Sequence, residues 1–359
     1  MPYPPNYGGV IDVFYKLKAL YDLNVTIYLH TFEYGRGRPK ELDKYCEQVF
    51  YYQRNSSIIN VLSKTPYIVK SRSSNELIQN LKKIKAPILF EGLHTTFPLI
   101  NEKFKDRKVL VRAHNIEHLY YGGLAKSESR IDKKIFFKTE ATKLSVYESI
   151  LAEVDTILTI SPSEDNYFRN RFIDKAVYIP VFHPNIKVKK LSKKGNFALY
   201  HGDLRVADNI KSVHFLIDIF RKLDYELVIA SSFKNHTIIN EITNYKNMRF
   251  VDIENQNHML DLFEKAHINV LPTFQKTGIK LKLINTLFNG RFCVVTTKMV
   301  EDTGLEKLCE IGRTKEEFIQ KVDELIYKDY VDAAIEERET ALKPFNIFEN
   351  AQKIKNILF

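Results

Sequence analysis

Cysteine is scarce in this sequence, with Cys46, Cys293 and Cys309 spread over 359 residues. Three residues so far apart cannot build a disulfide framework, and they lack the close spacing of a zinc site. Cys293 lies in an apolar segment, where packing is its expected role. The scarcity of cysteine indicates a chain that folds in a reducing compartment, and we expect the cytoplasm.

Long apolar runs are missing as well. None reaches the roughly 20 residues that a membrane-spanning helix needs, and the first residues do not show the pattern of a signal peptide. Hydrophobic residues still make up 44% of the chain. That content is enough for sizeable cores and is not typical of a disordered protein.

The chain has an excess of positive charge, with a formal net charge of +10. Such an excess favours anionic partners, namely phosphate groups, nucleic acid or an anionic membrane face. Nucleic acid is not expected, because the lysines are scattered among acids and no RNA-binding aromatic signature is present. One basic helix is compatible with peripheral contact on the inner face of the membrane. A solvated helix face is the favoured alternative for its basic residues, which are Lys126, Arg130, Lys133, Lys134, Lys138 and Lys143.

A chain of this length is too long for one compact core, so two α/β domains are expected. Predicted strands alternate with helices throughout, which is typical of parallel sheets and of two Rossmann-like domains. The expected strands are 25–29, 48–52, 87–90, 109–111, 156–160 and 176–180, then 197–202, 226–230, 248–251, 268–271 and 291–295. A polar, lysine-rich stretch separates the two series, and we place the domain boundary between residues 186 and 187.

Short local patterns predict several helix starts. Ser161-Pro162-Ser163-Glu164 combines a capping box with proline at the first helical position. Ser73-Ser74-Asn75-Glu76 and Thr314-Lys315-Glu316-Glu317 are further capping boxes. A long helix is expected over 131–152.

The segment 268–290 is the most informative part of the chain. An apolar strand leads through a loop closed by Gly278 into a helix with apolar residues at helical spacing. Free backbone N–H groups at such a helix start attract anions, and Lys280 and Lys282 add positive charge there. The plain alternative is an ordinary strand–helix unit with exposed lysines, which the pattern alone favours.

Four segments carry a resemblance to a known family. They are Pro4-Pro5-Asn6-Tyr7-Gly8-Gly9, Arg112-Ala113-His114-Asn115-Ile116-Glu117, Gly202-Asp203-Leu204-Arg205 with Asn209, and Gly278-Ile279-Lys280-Leu281-Lys282-Leu283. In this order they resemble segments of the retaining nucleotide-sugar glycosyltransferases of the GT-B fold that build bacterial polysaccharides. The resemblance spans nearly the whole chain. It implies two Rossmann-like domains that face each other across a cleft.

The resemblance also implies a division of labour. The domain 1–186 would bind the acceptor, the domain 187–342 would bind the nucleotide sugar, and a helix within 343–359 would cross back to the first domain. The implied reaction moves a sugar from a nucleoside diphosphate sugar to a saccharide or lipid-linked acceptor. No metal and no cofactor besides the donor are expected. The sequence has no Asp-x-Asp pair, and the nearest pattern, Asp252-Ile253-Glu254, is expected to end a strand.

Site residues follow from the same resemblance. The implied catalytic residues are His114, Lys282 and Arg205, of which Lys282 contacts the diphosphate and Arg205 supplies a second cation. His114 positions the transferred sugar or the acceptor, and Glu117 orients it or contacts the acceptor. The implied donor-binding residues are Gly8, Gly9, Gly202, Thr277, Gly278, Ile279, Lys280, Asn285 and Glu306. The alternatives are solvated side chains, a hydrogen-bonded histidine in a turn, and glycines that only begin a helix.

The sequence departs from the family at two positions. The family often has two glutamates eight residues apart, where this chain has Thr277 and Asn285. Asn285 can still bind ribose hydroxyls through hydrogen bonds, but Thr277 supplies no charge. This departure motivates an alternative, a catalytically silent GT-B protein that binds a sugar nucleotide or a partner glycosyltransferase. A nucleotide-sugar epimerase of the same architecture is a further alternative.

The family begins with an apolar strand directly before the glycine loop, whereas Met1 already lies in that loop. The expectation from the sequence is therefore that the central first strand is missing, because the start codon lies upstream of the assigned one. Its absence would leave backbone groups of both neighbouring strands unpaired.

Overall fold

A computed structural model describes residues 1–6, 8–33, 35–191, 194–275 and 280–359. The chain forms two compact units. Unit 1 comprises Met1–Pro184 and Phe345–Phe359, and unit 2 comprises Asn185–Pro344. Each unit consists of parallel strands that alternate with helices. The prediction of an α/β chain with two Rossmann-like domains is confirmed.

Unit 1 begins its helix–strand alternation with a helix. Its strands are β1 (Tyr28–Glu33), β2 (Gln48–Gln53), β3 (Ile88–Glu91), β4 (Val109–Ala113), β5 (Thr156–Thr159) and β6 (Ala176–Tyr178). Its helices up to residue 184 are α1 (Gly8–Asp22), α2 (Tyr67–Lys70), α3 (Asn75–Lys83), α4 (Pro98–Asn101), α5 (Glu117–Ser127), α6 (Ile131–Tyr147) and α7 (Pro162–Arg171). A short 3-10 helix, Ile58–Leu62, precedes α2.

The strands of unit 1 form two separate parallel sheets. One sheet has the strand order β3-β4-β5-β6. The other consists of β1 and β2, with Tyr28 opposite Gln48 and Glu33 opposite Gln53. In the part of the chain that the structure describes, neither β1 nor β2 pairs with the four-stranded sheet.

A cavity of about 240 Å³ lies between the two sheets of unit 1. Both β1 and β3 line it, together with apolar side chains of α1 and α3 such as Leu17 and Leu81. Phe359 at the chain end also contributes to its wall. We call this cavity the β1–β3 slot, since it separates the facing edges of those two strands.

One sequence prediction in unit 1 needs correction, and one helix was not predicted. The strand predicted over 25–29 begins only at Tyr28, because the chain turns at Asn24, whose φ is 59°. Val25 and Ile27 are apolar, but they pack against a hydrophobic cluster formed by α1, the last helix of the chain and the four-stranded sheet instead of extending the strand. Helix α5 was not predicted, because two adjacent glycines in its middle lower its helix propensity and no side chain caps its start.

Unit 2 contains one six-stranded parallel sheet in the order β12-β11-β10-β7-β8-β9. The strands are β7 (Phe197–His201), β8 (Leu227–Ser231), β9 (Met248–Asp252), β10 (Ala266–Leu271), β11 (Phe292–Val295) and β12 (Glu310–Ile311). The helices are α8 (Ala207–Phe220), α9 (His236–Ile242), α10 (Gln256–Lys265), α11 (Leu281–Asn289), α12 (Thr297–Val300), α13 (Lys315–Ile326) and α14 (Asp332–Leu342). Strands β7, β8 and β10 are buried along their whole length, as expected for a sheet covered on both faces.

The predicted helix caps are present in both units. The hydroxyl of Ser161 accepts a hydrogen bond from the backbone N–H of Glu164, and Pro162 occupies the first turn of α7. Thr314 likewise accepts from the N–H of Glu317 at the start of α13. For α3 the cap is Ser74, one residue later than the capping box predicted. These caps could be predicted from the sequence because the capping residue and the residue whose N–H it accepts from lie within one helical turn.

The last helix, α15 (Ile347–Leu358), belongs to unit 1. Its residues Ile347, Ile354 and Leu358 are buried in one hydrophobic cluster with Leu20 of α1. The same cluster includes Leu110 and Leu158, so α15 covers one face of the four-stranded sheet. Among the described residues, no helix combines the length and the apolar character that a bilayer span requires.

Candidate functional site

The sheet of unit 2 has a topological switch point between β7 and β10. Strand β7 comes first in this unit, and the chain then adds β8 and β9 on one side and β10, β11 and β12 on the other. In an open parallel sheet, the helices on either side of such a point diverge and leave a crevice at the carboxyl ends of the strands. Gly202 follows β7, and the segment leading to α11 follows β10. The candidate site therefore lies between these two strand ends.

Lys282 of α11 reaches the carboxyl end of β7. Its Nζ donates to the side-chain oxygen of Asn209 at 2.5 Å and to the Tyr200 hydroxyl at 3.3 Å. The ammonium also lies 5.1 Å from the centre of the Tyr200 ring. Burial lowers the pKa of Lys282 from 10.5 to about 8. The sequence suggested an exposed lysine, but the side chain is half-buried, because the carboxyl end of β7 and the start of α8 cover it.

The Lys282 ammonium lies against the backbone of Gly202. A Cβ atom at this position would come within 2.8 Å of Lys282 Nζ and 3.2 Å of the Asn209 amide. Because glycine has no Cβ, the lysine can approach the backbone at the end of β7. The positive charge of Lys282 therefore lies directly against the backbone at the switch point.

Asp208 fixes the segment that follows β10. Its carboxylate accepts a hydrogen bond from the Thr273 hydroxyl at 2.6 Å and another from the Phe274 N–H at 3.2 Å. Asp208 itself lies in the first turn of α8. The start of α8 and the segment after β10 are consequently held together beside Lys282.

The structure brings only some of the other predicted residues close to Lys282. Arg205 follows Gly202 by three residues, but its guanidinium is paired with Asp203 at 2.7 Å and lies over the Phe233 ring. Lys280 donates to the backbone oxygen of Gln275 at 3.3 Å, and burial lowers its pKa.

Asn285 and Glu306 lie farther along the chain. The Asn285 amide oxygen accepts a hydrogen bond from Asn185 at 2.8 Å. Glu306 begins a short 3-10 turn and makes no hydrogen bond or ion pair with Lys282 or its partners in the described ranges. The predicted residues Thr277, Gly278 and Ile279 lie outside the described residues.

Unit 1 contains a second polar cluster, at the carboxyl ends of β3 and β4. Its centre is Asp12 of α1, which is fully buried. Arg112 binds both Asp12 oxygens, through Nε at 3.1 Å and a terminal nitrogen at 2.9 Å. Lys16 approaches at 3.2 Å, and the backbone N–H of Phe182 donates at 2.8 Å. Burial alone raises the pKa of Asp12, but Arg112 and Lys16 outweigh it and hold that pKa well below its ordinary value.

His114 is attached to this cluster. Its Nε2 lies 3.2 Å from an Asp12 oxygen and 3.6 Å from Glu91 Oε2, and the residue is 8% exposed. Asp12, Glu91 and His114 each place a ligand-type atom within 4.8 Å of the others. Arg112 pairs with Asp12 at 2.9 Å and Lys16 with Glu91 at 2.8 Å, so both carboxylates of this group already have a cationic partner. Gly8 and Gly9 form the first turn of α1, one helical turn before Asp12.

Residues 195–328 match the model of the family described as glycosyl transferases group 1. A Klebsiella pneumoniae protein, described as an uncharacterized 44.6 kDa protein in the cps region, is 27% identical over 323 residues, which is 84% of this chain and 82% of that protein.

Solved structures resemble the whole chain. HepE of Anabaena in complex with UDP has a TM-score of 0.67 at 13% identity and covers 97% of this chain and 95% of its own. A glycosyltransferase of Rickettsia africae has a TM-score of 0.65 at 15% identity over 98% and 95%. MurG of Acinetobacter baumannii has a TM-score of 0.56 at 13% identity over 98% and 96%. The chain has the GT-B fold.

Sequence reasoning missed part of the polar network in the N-terminal unit of this GT-B chain. Asp12 and Lys16 were not predicted as site residues, although they are charged residues four apart among the apolar residues of α1. That placement is a signal, because charged residues on a buried helix face need partners. The partner of Asp12, Arg112, is 100 residues away in sequence, and the pattern could not identify it.

Glu117 is a buried carboxyl group at the start of α5, with 7% exposure. Burial raises its pKa from 4.5 to about 7, which the charge of Glu148 reinforces and that of Arg72 opposes. A raised pKa in the folded state means that this group stabilises the fold fully below its ordinary pKa and that the effect is lost as pH rises through 7. At pH 8.5 the ionised carboxylate therefore destabilises the N-terminal unit.

Replacing Glu117 by glutamine is expected to raise the free energy of unfolding at pH 8.5 by up to about 3 kcal/mol, because the neutral amide avoids burying a charge. At pH 4.5 or below the variant and the parent should agree closely. Urea unfolding followed by circular dichroism at both pH values measures this difference. Glu153→Gln, which changes an exposed carboxylate, is the matched control. An equal gain at both pH values would contradict the explanation by charge burial.

Proposed function

We propose that this GT-B protein transfers a sugar from a nucleoside diphosphate sugar to a saccharide or lipid-linked acceptor, with retention of configuration and without a metal ion. Surface polysaccharide synthesis is the proposed setting, and the Klebsiella relative from a cps region supports it. The family match over 195–328 supports the reaction class. Solved neighbours of the same fold contain UDP, and one contains UDP and glucose.

The placement of Lys282 is the observation that carries the proposal. Its ammonium stands at the switch point of the sheet, against the backbone of Gly202 and within hydrogen-bond reach of Asn209. Crevices at such points bind phosphorylated ligands, because strand ends and helix starts leave free N–H groups there. Lys282 is half-buried, feels the charges of Asp208, Lys280 and Asp203, and makes its described hydrogen bonds to the neutral groups of Asn209 and Tyr200, so its ammonium is well suited to receive a diphosphate.

The proposed reaction needs a positive charge next to the leaving diphosphate. When the glycosidic bond to the diphosphate breaks, negative charge grows on the leaving phosphate oxygens. A cation held against those oxygens stabilises the transition state more than the bound donor, which is how it accelerates the step. Lys282 lies in the first turn of α11, where the helix dipole also favours an anion. In this proposal Lys280 and Arg205 add positive charge, and Arg205 must first leave Asp203.

Donor recognition is proposed for the remaining predicted residues of unit 2. Asn285 would bind the ribose hydroxyls through its amide group, whose oxygen now accepts a hydrogen bond from Asn185. Glu306 is a second candidate for the ribose. In unit 1, His114 would position the acceptor or the transferred sugar. Asp12 and Glu91 flank its ring and limit its orientation.

A donor-turnover assay tests the proposed function. The purified protein is incubated with UDP-, GDP- and TDP-sugars, with chelator present, and release of the nucleoside diphosphate is measured with and without saccharide and polyprenyl-phosphate acceptors. At least one donor is expected to release its nucleoside diphosphate, faster when an acceptor is present. NMR of the product then gives the anomeric configuration, for which retention is expected.

Other outcomes of the same assay point to the alternatives. Tight binding of a nucleotide sugar by calorimetry without any turnover would favour the silent GT-B protein, which the replacement of both family glutamates by Thr277 and Asn285 motivates. Formation of an epimeric free sugar would favour an epimerase. Neither binding nor turnover with any donor would refute the proposed function.

A further inference from the structure

The 3-10 helix Ile58–Leu62 of unit 1 presents three aliphatic side chains to solvent. Ile58 is 83% exposed, Ile59 is 72% exposed and Leu62 is 86% exposed. Single exposed aliphatic residues are common on protein surfaces, but a cluster of large ones within five residues is typical of an interaction site.

This turn is fixed to helix α6. The Lys143 ammonium donates to the backbone oxygen of Val61 at 2.6 Å and to Glu140 at 2.8 Å. Glu140 is fully buried, and its other oxygen accepts from the backbone N–H of Tyr67. The Asn60 side chain, also buried, donates to the Asn55 oxygen at 2.9 Å. The aliphatic side chains are therefore held outward by a defined backbone.

The N-terminal half of α6 is both apolar and basic on its exposed side. Ile131 is 75% exposed and Ile135, one turn later, is 61% exposed. Lys133, Lys134 and Lys138 are exposed and form no ion pair with any residue in the described part of the chain.

The neighbouring acidic residues do not neutralise the charge of these lysines. Asp132 is paired with Arg130 at 2.8 Å, and Glu128 accepts a hydrogen bond from the Arg130 backbone N–H. Over 126–146 the chain has six basic and three acidic residues. The exposed side of α6 therefore combines aliphatic groups with an excess of unpaired positive charge.

We propose that the segments 58–62 and 131–138 form a docking surface for a bilayer rich in anionic phospholipid. The lysines attract the phosphate headgroups, and the aliphatic side chains enter the boundary between headgroups and acyl chains. This pairing of charge with aliphatic groups favours lipid over nucleic acid, since RNA-binding surfaces present aromatic rings for stacking. The proposal does not depend on the transfer reaction, because no residue of the docking surface belongs to the candidate site.

Vesicle co-sedimentation of the full chain tests the docking surface. We expect binding to vesicles of phosphatidylglycerol and phosphatidylcholine, much weaker binding to phosphatidylcholine alone, and a decrease with added salt. Lys133→Glu/Lys134→Glu should lower the partition coefficient at least about 25-fold, since each lysine near an anionic surface contributes roughly a factor of five. Ile58→Asn/Ile59→Asn/Leu62→Asn should lower it at least about tenfold.

Two matched variants control for general effects of charge and polarity. Lys105→Glu/Lys108→Glu reverses two exposed lysines in the turn before β4, and Ile173→Asn changes an isoleucine that is 79% exposed after α7. Both controls should bind vesicles as the parent does, and all variants should keep the parent's melting temperature within a few degrees. The proposal is overturned if the parent does not prefer anionic vesicles, if the docking-surface variants bind as well as the controls, or if the parent binds RNA and not vesicles.

Discussion

Alanine in place of Lys282 is expected to lower the turnover of sugar transfer by about two to three orders of magnitude, the usual effect of losing one charged group at a developing anion. The loss should appear mainly in kcat, because the charge that Lys282 stabilises grows as the bond to the diphosphate breaks. Lys282→Arg should recover only part of the activity, since a planar guanidinium does not replace a compact ammonium beside Gly202. Steady-state kinetics with one saturating donor measure the three proteins.

The pH dependence gives a second measurement on the same residue. With its pKa lowered to about 8, Lys282 is charged below that pH and loses its proton above it. Affinity for the free nucleoside diphosphate should therefore fall as pH rises through 8 in the parent, and this decrease should be absent in Lys282→Ala.

The control is Lys222→Ala, at the opposite end of α8 from Asn209, roughly 20 Å along the helix axis. It should behave as the parent in both measurements. Turnover of Lys282→Ala within a few-fold of the parent would show that the diphosphate is bound elsewhere, with Arg205 as the next residue to test.

The Asp12→Ala substitution is expected to destabilise the N-terminal unit by about 3–5 kcal/mol, because it leaves the guanidinium of Arg112 buried without its counter-charge. Arg112 is 0% exposed, so water cannot replace the lost carboxylate without local unfolding. The same change removes the Asp12 oxygen beside His114, and its ring should lose its fixed orientation. Urea unfolding measures the stability, and NMR of the histidine ring protons reports the orientation.

A double-mutant cycle separates the ion pair from the packing around it. Asp12→Ala/Arg112→Met removes both charges and should be more stable than Asp12→Ala alone, as buried pairs often tolerate joint replacement better than the loss of one partner. Asp22→Ala, an exposed acid at the end of the same helix, should change stability by less than about 0.5 kcal/mol. If Asp12→Ala were as stable as Asp22→Ala, the network would have no role in holding unit 1 together.

Local features of the fold were predictable because their causes lie close together in the sequence. Ser161 and Glu164 are three residues apart, and the cap that they predict is the one the structure contains. The strand near residue 28 was displaced because its position depends on pairing with β2, about 20 residues later, and not on the apolar run before it. Helix α5 was missed for a related reason, since contacts with α6 compensate for its glycines.

In the candidate site, too, the features with local causes were predicted and the contacts between distant residues were not. A strand, a turn and a helix start within one segment of sequence indicated a possible anion site, and the family resemblance then implied Lys282 as its diphosphate ligand. Its partners Asn209 and Tyr200 lie 73 and 82 residues away, and only the pairing of β7 with β10 brings them together. Asp12 was missed because its significance depends on Arg112, and a buried ion pair between distant residues leaves no periodic pattern in a sequence.

The β1–β3 slot has a consequence for the way unit 1 opens. Because β1 and β2 make no ladder with the four-stranded sheet in the described residues, this pair is attached mainly by side chains, such as the bond from Asn80 to the Tyr52 hydroxyl at 3.0 Å. A two-stranded pair has little independent stability. We therefore expect β1–β2 to open in a sub-global fluctuation more readily than β3 to β6, whose ladder stays intact.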